Sequence, residues 1–377
     1  MRAGSAAIEQ TLQSEAVEPN KQVRAPFPRC DENDSMRTLA WSLTTVCMLS
    51  FWGMAPVANA QAPKTLGRIE RLDPGLDALL PSDAKIEILA SGFTWSEGPL
   101  WIAGEGPGEG HLLFTDIPRN SIFRWHPSAG ISLFMCPSGY TGVTFYGLEP
   151  GANGLALDRQ GNLIMCEHGD RRVSVLTKQG GKRTLADNYQ GGRLNSPNDL
   201  IAHSSGAIYF TDPPYGLPER EKDARRELDF FGVYRLRTNG TLDLLTKELA
   251  RPNGIAFSPD EKLLYVAQSD PTNAIWMAFP VRDDGLLEQG RVLFSAQADI
   301  GKMPGLPDGL DVDQQGNLWA SGPGGIYVIS PAGKLLGRII TEQATSNCCL
   351  GGPAGDELFI TADSYLCRVK TKTRALQ

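Results

Sequence analysis

Most of the patterns that announce a catalytic class are missing from this chain. There is no G-x-S-x-G, which excludes a serine nucleophile carried on a strand-to-helix elbow, no H-E-x-x-H, which excludes a zinc hydrolase built on one helix, and no phosphate-binding loop. The Gly-rich run from 104 to 110 holds two acids and no G-x-G-x-x-G, so it reads as a loop and not as a nucleotide cradle. Seven cysteines in 377 residues include no C-x-x-C, which argues against both a cysteine zinc site and a disulfide framework. Basic clusters are missing too, and the formal net charge is -7, so neither nucleic acid nor an anionic lipid surface is an expected partner. A helical period of 3.6 is absent beyond residue 60, which leaves strands as the main element.

The longest apolar run lies near the start. From Met36 the chain reads MRTLAWSLTTVCMLSFWGMAPVANA before Gln61, with one basic residue, an apolar core from Leu39 to Met54 and then Ala58-Asn59-Ala60. That is the form of a secretory signal with an Ala-x-Ala cleavage site, and its core is too short and interrupted to span a bilayer. An uncleaved anchor, or a tail on a cytosolic protein, is the plainer alternative. Residues 1–35 are polar, carry no periodicity and precede a second methionine, so they read as an upstream mis-start or a disordered extension. The expected division is therefore 1–35, a signal peptide over 36–60 and one domain over 61–377, since no Pro/Ser-rich linker interrupts that last span. Export puts the protein in the periplasm or outside the cell, without stable membrane association after cleavage. Five cysteines follow residue 60, and a single disulfide among them stays open, as does the oligomeric state.

What the chain does contain is a phrase repeated six times. An oxygen-bearing side chain opens an apolar run, a turn follows, and a second apolar run closes the phrase, most clearly in NGLALDRQGNLIMCEHG, NDLIAHSSGAIYFTDPP, NGIAFSPDEKLLYVAQSD and DGLDVDQQGNLWASGPGG. The openings are Glu97, Asn153, Asn198, Asn253, Asp308 and Asn347, 39 to 56 residues apart, a spacing suited to units of about four strands. The runs LIMC, AIYF, LLYVA, NLWAS and ELFIT are short, rich in β-branched and aromatic residues, and bounded by Asp, Gly and Asn turns. A solenoid needs more uniform repeats, and a sandwich would not reproduce one phrase six times. Radial repetition around a channel answers both, so the predicted fold is all-β, a six-bladed β-propeller with a central metal site. Residues 65–95, with IERLDP and KIEILASG, are expected to supply an outer strand to the last blade.

In such a ring the openings gather at one mouth of the channel. The exits of the second strands, Asp116, Glu167, His168, Asp212 to Tyr215 and Gln268 to Asp270, are expected to join them, with Arg193, Asn195 and Met303 from inter-blade loops. Two facing carboxylates, Glu97 and Asp308, among four Asn and with no Lys or Arg opening a repeat, call for a positive partner. Hard oxygen donors of this kind select Ca²⁺, Mg²⁺ or Mn²⁺ over a soft metal. Taken singly, each Asn-Gly or Asp-Gly is a turn dipeptide; six in phase outweigh that reading. Of the four histidines only His168 falls at the mouth, where it either touches substrate or caps a loop.

The phrases Trp95-Ser-Glu97-Gly-Pro99, Asn195-Ser-Pro-Asn198-Asp199, Phe210-Thr-Asp212-Pro, Arg251-Pro-Asn253-Gly-Ile255 and Pro307-Asp308-Gly-Leu-Asp-Val312 point further. Over about residues 85 to 370 the chain resembles the SMP-30/gluconolactonase/luciferin-regenerating-enzyme-like family of six-bladed propellers. The resemblance implies that Glu97, Asn198, Asn253 and Asp308 match the positions holding that family's divalent ion. Ca²⁺ comes first, with Mg²⁺, Mn²⁺ and Zn²⁺ as alternatives. It also implies that Asp308 is the general base in the hydrolysis of a sugar lactone such as gluconolactone. In that chemistry a Lewis-acidic ion polarises the carbonyl and lowers the pKa of a bound water, whose proton Asp308 accepts. Asn153, His168 and Arg193 are expected, from position, to orient the hydroxyls of this small-molecule substrate. The alternatives are a hydrolase for non-sugar lactones or organophosphates on the same site, and a non-catalytic propeller that binds sugar or protein.

Overall fold

The computed structural model describes residues 64–106 and 109–376; the readings made for residues 1–60 lie outside them. Strands dominate, and they sort into six antiparallel sheets, accompanied by one small hairpin. Blade one comprises Ser96–Ala103, Gly110–Asp116, Ser121–His126 and Gly130–Met135, and blade two Ala152–Leu157, Leu163–Glu167, Arg172–Leu176 and Lys182–Ala186. Blade three comprises Leu200–Ala202, Ile208–Asp212, Gly232–Leu236 and Leu242–Thr246, and blade four Pro252–Phe257, Leu263–Gln268, Ile275–Pro280 and Arg291–Ser295. Leu310–Val312, Leu318–Gly322, Gly325–Ile329 and Leu335–Ile340 form blade five, and Thr345–Gly351, Glu357–Ala362 and Tyr365–Lys370 begin blade six. The architecture is the predicted six-bladed propeller.

The ring is closed by the segment ahead of blade one. Ile86–Ser91 pairs antiparallel with Tyr365–Lys370 as the fourth strand of blade six, and Thr65–Leu66 adds a fifth outside it. This is the role expected of KIEILASG. The other expected contributor, IERLDP, goes elsewhere: Arg68–Arg71 pairs with Leu335–Ile340 and becomes the outer strand of blade five. Between the two strands the short helix Gly75–Leu79 buries Leu76 and Leu79 in a cluster shared by Ile339 of blade five and Val369 of blade six, and so carries the chain from one blade to the next.

Among the described residues the apolar interior is divided into six clusters, one in each gap between neighbouring blades. Leu113 and Ile122 of blade one meet Ala152, Leu155 and Met165 of blade two. Their strand neighbours Leu112 and Phe114 face the opposite way, towards Phe359 and Leu366 of blade six. Alternate residues of one strand therefore serve two neighbours, which is why the strand runs are apolar throughout and do not alternate with polar residues. At the closing gap Trp101 stacks on Phe359 with ring centroids 5.4 Å apart and an interplanar angle of 6°. Among the described residues no helix is long and apolar enough to cross a membrane.

Candidate active site at the channel mouth

The innermost strands bring the repeat openings together. Glu97, Asn153 and Asn253 are second in their strands, while Asn198 and Asp308 stand two residues before theirs. A hydroxyl near the end of a blade's second strand ties it to the following blade. Thr115 Oγ1 donates to Asn153 O at 3.3 Å, Thr211 Oγ1 to Asn253 O at 2.8 Å and Ser321 Oγ to Ser346 O at 2.8 Å. The glycine after an opening permits this approach. A Cβ on Gly98 would lie 3.0 Å from Asn153 C, one on Gly154 2.8 Å from Asn198 O, and one on Gly254 2.7 Å from Gly309 Cα. The neighbouring blade's opening occupies the space where a side chain would stand.

The buried strand ends fix the loops that enter the hub. Asp116 accepts from Thr94 N at 2.9 Å and Trp95 N at 3.3 Å, just ahead of Glu97. Asp212 accepts from Asn195 N at 2.8 Å and Ser196 N at 2.7 Å, just ahead of Asn198. Gln268 Oε1 takes Ala250 N at 2.8 Å ahead of Asn253. These three side chains, expected at the mouth, turn towards backbone amides, and their work is to hold the hub residues in place.

The sixth opening requires a correction. In blade two Ala152 pairs with Glu167 and Leu155 with Met165 around a bulge; in blade six Thr345 pairs with Ala362 and Cys348 with Ile360 around the same bulge. The counterpart of Asn153 is therefore Ser346, and Asn347 stands at the glycine position. Ser346 is fully buried, and its Oγ donates to Ser96 O at 2.7 Å, which joins blade six to blade one. Asn347 instead lines a separate cavity of about 120 Å³ together with Asp199 and Asp311.

The other five openings, Glu97, Asn153, Asn198, Asn253 and Asp308, line one cavity of about 320 Å³ with Trp95, Glu149, Tyr215 and Arg220. Burial, followed by the field of Asp199, pushes the Glu97 carboxyl up to about 8. Burial, followed by Glu97 itself, raises Asp308 well above the ordinary carboxylate range, although Asn253 donates a hydrogen bond to it. Arg220 is the one cation of the described lining, and its Nη2 faces Glu149 Oε1 at 3.9 Å and not this pair. The amide oxygens of Asn153 and Asn253 are buried and accept no hydrogen bond, a condition that costs about 1–3 kcal/mol for each group. Facing carboxylates and orphaned amide oxygens fit a hard divalent cation. Among the described residues no group of three or more His, Cys, Asp or Glu side chains is placed to hold a metal ion, so a cation here would rely on amide oxygens beside Glu97 and Asp308.

Two residues expected to touch substrate lie off the cavity wall. His168 is fully buried, with Nε2 3.5 Å from Asn153 Nδ2 and Nδ1 3.7 Å from Glu149 Oε2; burial pushes its imidazole down to about 3, so it is neutral. It backs the cavity at one remove. Arg193 ends the hairpin of Asn188–Tyr189 with Gly192–Arg193, where it is exposed and donates from Nη2 to Asp170 O at 2.8 Å. In its place the wall carries Glu149 and Arg220, neither of which was expected. They come from the connections 136–151 and 213–231, and unusual loop length was the one signal available for them.

Comparison with known proteins agrees with this fold. The profile of the SMP-30/Gluconolactonase/LRE-like region matches residues 95–364. The chain is 42% identical over 330 residues to the gluconolactonase of Zymomonas mobilis, covering 84% of this chain and 91% of that one. It is 27% identical over 269 residues to a pentonolactonase of Haloferax volcanii, covering 70% and 80%. A solved structure of a gluconolactonase from Xanthomonas campestris, described as important in glucose secondary metabolic pathways, superposes with a TM-score of 0.70 at 34% identity, over 84% of this chain and 99% of that one.

Proposed function

This chain belongs to the SMP-30/gluconolactonase/LRE-like family, and on that premise we propose that it hydrolyses an aldonolactone of the gluconolactone type. The observation that carries the reading is the convergence of Glu97, Asn153, Asn198, Asn253 and Asp308 on one cavity, in a chain 42% identical across 91% of a gluconolactonase. A volume of about 320 Å³ lies at the small end of ligand pockets and suits a single monosaccharide.

Glu97, Asn198, Asn253 and Asp308 would hold one divalent ion, Ca²⁺ by the hardness of its oxygen donors, with Mg²⁺, Mn²⁺ and Zn²⁺ as alternatives. When bound, such an ion polarises the lactone carbonyl and makes water more acidic. The Asp308 carboxylate, oriented by the hydrogen bond from Asn253, accepts the proton of the attacking water. Asn153, steadied by His168 behind it, presents its amide to a hydroxyl of the sugar. Arg220 lines the wall and adds donors for the polyol, and the Tyr215 hydroxyl oxygen, whose proton goes to Ser269 O, can accept from it. Export to the periplasm or beyond is part of the same proposal, supported by the leader pattern over Met36–Ala60; N-terminal sequencing of the exported protein should begin at Gln61.

The deciding experiment is pH-stat hydrolysis of a panel of aldonolactones against a panel of divalent ions. Turnover is expected to stop with a chelator, and Asp308→Asn should lose about 10²- to 10⁴-fold in kcat. Lactone binding without turnover, or near-wild-type turnover by Asp308→Asn, would overturn the reading.

A further inference from the structure

Lactone hydrolysis needs two proton transfers, and the hub as described supplies one. Asp308 takes a proton from the attacking water, but the ring oxygen of a sugar lactone leaves as an alkoxide, and its expulsion is slow unless a proton arrives with it. The cavity wall offers few groups for that task. Tyr215 donates its hydroxyl to Ser269 O at 2.9 Å, and burial holds the phenol far above its usual range. Arg220 keeps its proton at any working pH. His168 is neutral and buried behind Asn153.

Glu149 remains. It lines the same cavity as Glu97 and Asp308. Its side chain is 28% exposed, with Oε2 3.7 Å from His168 Nδ1 and Oε1 3.9 Å from Arg220 Nη2. Both oxygens thus stand just outside hydrogen-bond reach of their neighbours and are open to a ligand. The loop that carries Glu149 is tied down: Asn120 Oδ1 accepts from Gly139 N at 2.8 Å and Tyr140 N at 3.1 Å, and the Tyr146 hydroxyl donates to His168 O at 3.2 Å.

We propose that Glu149 is the general acid that protonates the ring oxygen as the lactone opens. The proposal rests on the lactonase reading of this site. Water bonds to the carbonyl carbon while Asp308 takes one of its protons. The ring C–O bond then breaks with its electron pair on the ring oxygen, which receives the Glu149 proton. The product carboxyl releases one proton to solvent, and the proton on Asp308 returns through solvent to Glu149, so lactone and water give hydroxycarboxylate and one proton. Burial pushes the Glu149 carboxyl up to about 7 against the pull of Arg220. The other titratable groups around it are Glu97 and Asp308, whose charge a bound divalent ion would offset, and His168, which is neutral.

The test compares wild type, Glu149→Gln and Glu149→Asp on glucono-1,5-lactone, with an alkoxide leaving group, and on dihydrocoumarin, with a phenolate that leaves unaided. Glu149→Gln should lose about 10²-fold in kcat on the sugar lactone with KM little changed, lose far less on dihydrocoumarin, and lack the alkaline limb of the wild-type kcat profile. Glu149→Asp should recover part of the loss. Unchanged turnover by Glu149→Gln, equal losses on both substrates, or an unaltered pH profile would overturn the assignment while leaving the lactonase reading intact. If dihydrocoumarin is not accepted, the pH profile on the sugar lactone decides alone. Wild-type protein inactive on every lactone, with its divalent ion supplied, would overturn both readings together.

Discussion

Gly254→Ala is the sharpest perturbation of the hub because it adds one methyl group and alters no charge. Gly254 has an ordinary negative φ, so the substitution meets no dihedral penalty and its effect is one of space. The new Cβ would lie 2.7 Å from Gly309 Cα and 3.0 Å from Asp308 C, with Asp308 O closer still. All three atoms are backbone of the next blade, so no side chain can swing away. Overpacking of this kind costs about 1–3 kcal/mol, which for a domain of this size lowers Tm by about 2–6 °C. The clash also sits between Asn253 and Asp308, and parting the blades by several tenths of an ångström displaces both. Since a misplacement of about 1 Å costs about 10²-fold, kcat on an aldonolactone should fall by about 10-fold or more. Gly181→Ala is the control: its nearest contact is Thr177 Oγ1 at 3.6 Å, and both Tm and kcat should stay close to wild type. A Gly254→Ala protein with wild-type kcat would refute the claim that this contact positions Asp308.

Two further outcomes follow from the blades themselves. Phe359 is fully buried against Trp101 and Trp125 in the gap that closes the ring, so Phe359→Ala should lower stability by about 3–5 kcal/mol in denaturant titrations. The side-chain hydrogen bonds of Arg225 hold Asp223 well below the ordinary carboxylate value. A carboxylate depressed in the folded state contributes stability that is complete above its unfolded value of about 3.9 and is lost as pH falls below that. Tm measured between about pH 2 and 5 should therefore fall less steeply for Asp223→Asn than for wild type; parallel curves would show that this pair does not contribute to the acid limb.

How much of this could be read from the chain depends on whether a residue's chemistry and its packing leave the same mark. At Asn153-Gly154, Asn253-Gly254 and Asp308-Gly309 they do, because the oxygen donor faces the cavity and the glycine leaves room for the neighbouring blade, for Asn198 O and Asp199 at Gly154, for the backbone of Asp308 and Gly309 at Gly254, and for the Asn347 side chain at Gly309. Both requirements fall on adjacent letters, and the phrase repeats with the blades. At Ser346-Asn347 they separate. The bulge puts a hydroxyl at the donor position and an amide at the glycine position, and matching by amide slips the register by one. The two closing segments were harder for another reason. IERLDP and KIEILASG are equally good outer strands, and the choice of blade is made by Gly75–Leu79, a helix of five residues, too short for its period to be recognised. Glu149 and Arg220 come from connections with no period at all, and only the folded loops bring them within 3.9 Å of each other. The hub is therefore encoded by packing between neighbouring blades, whereas the wall facing the substrate is encoded by two long loops held by their own hydrogen bonds and not by the blade repeat. It follows that changes of lactone preference should arise in 136–151 and 213–231, and that the five hub openings, Glu97, Asn153, Asn198, Asn253 and Asp308, should carry the part of the chemistry that does not depend on which lactone is bound.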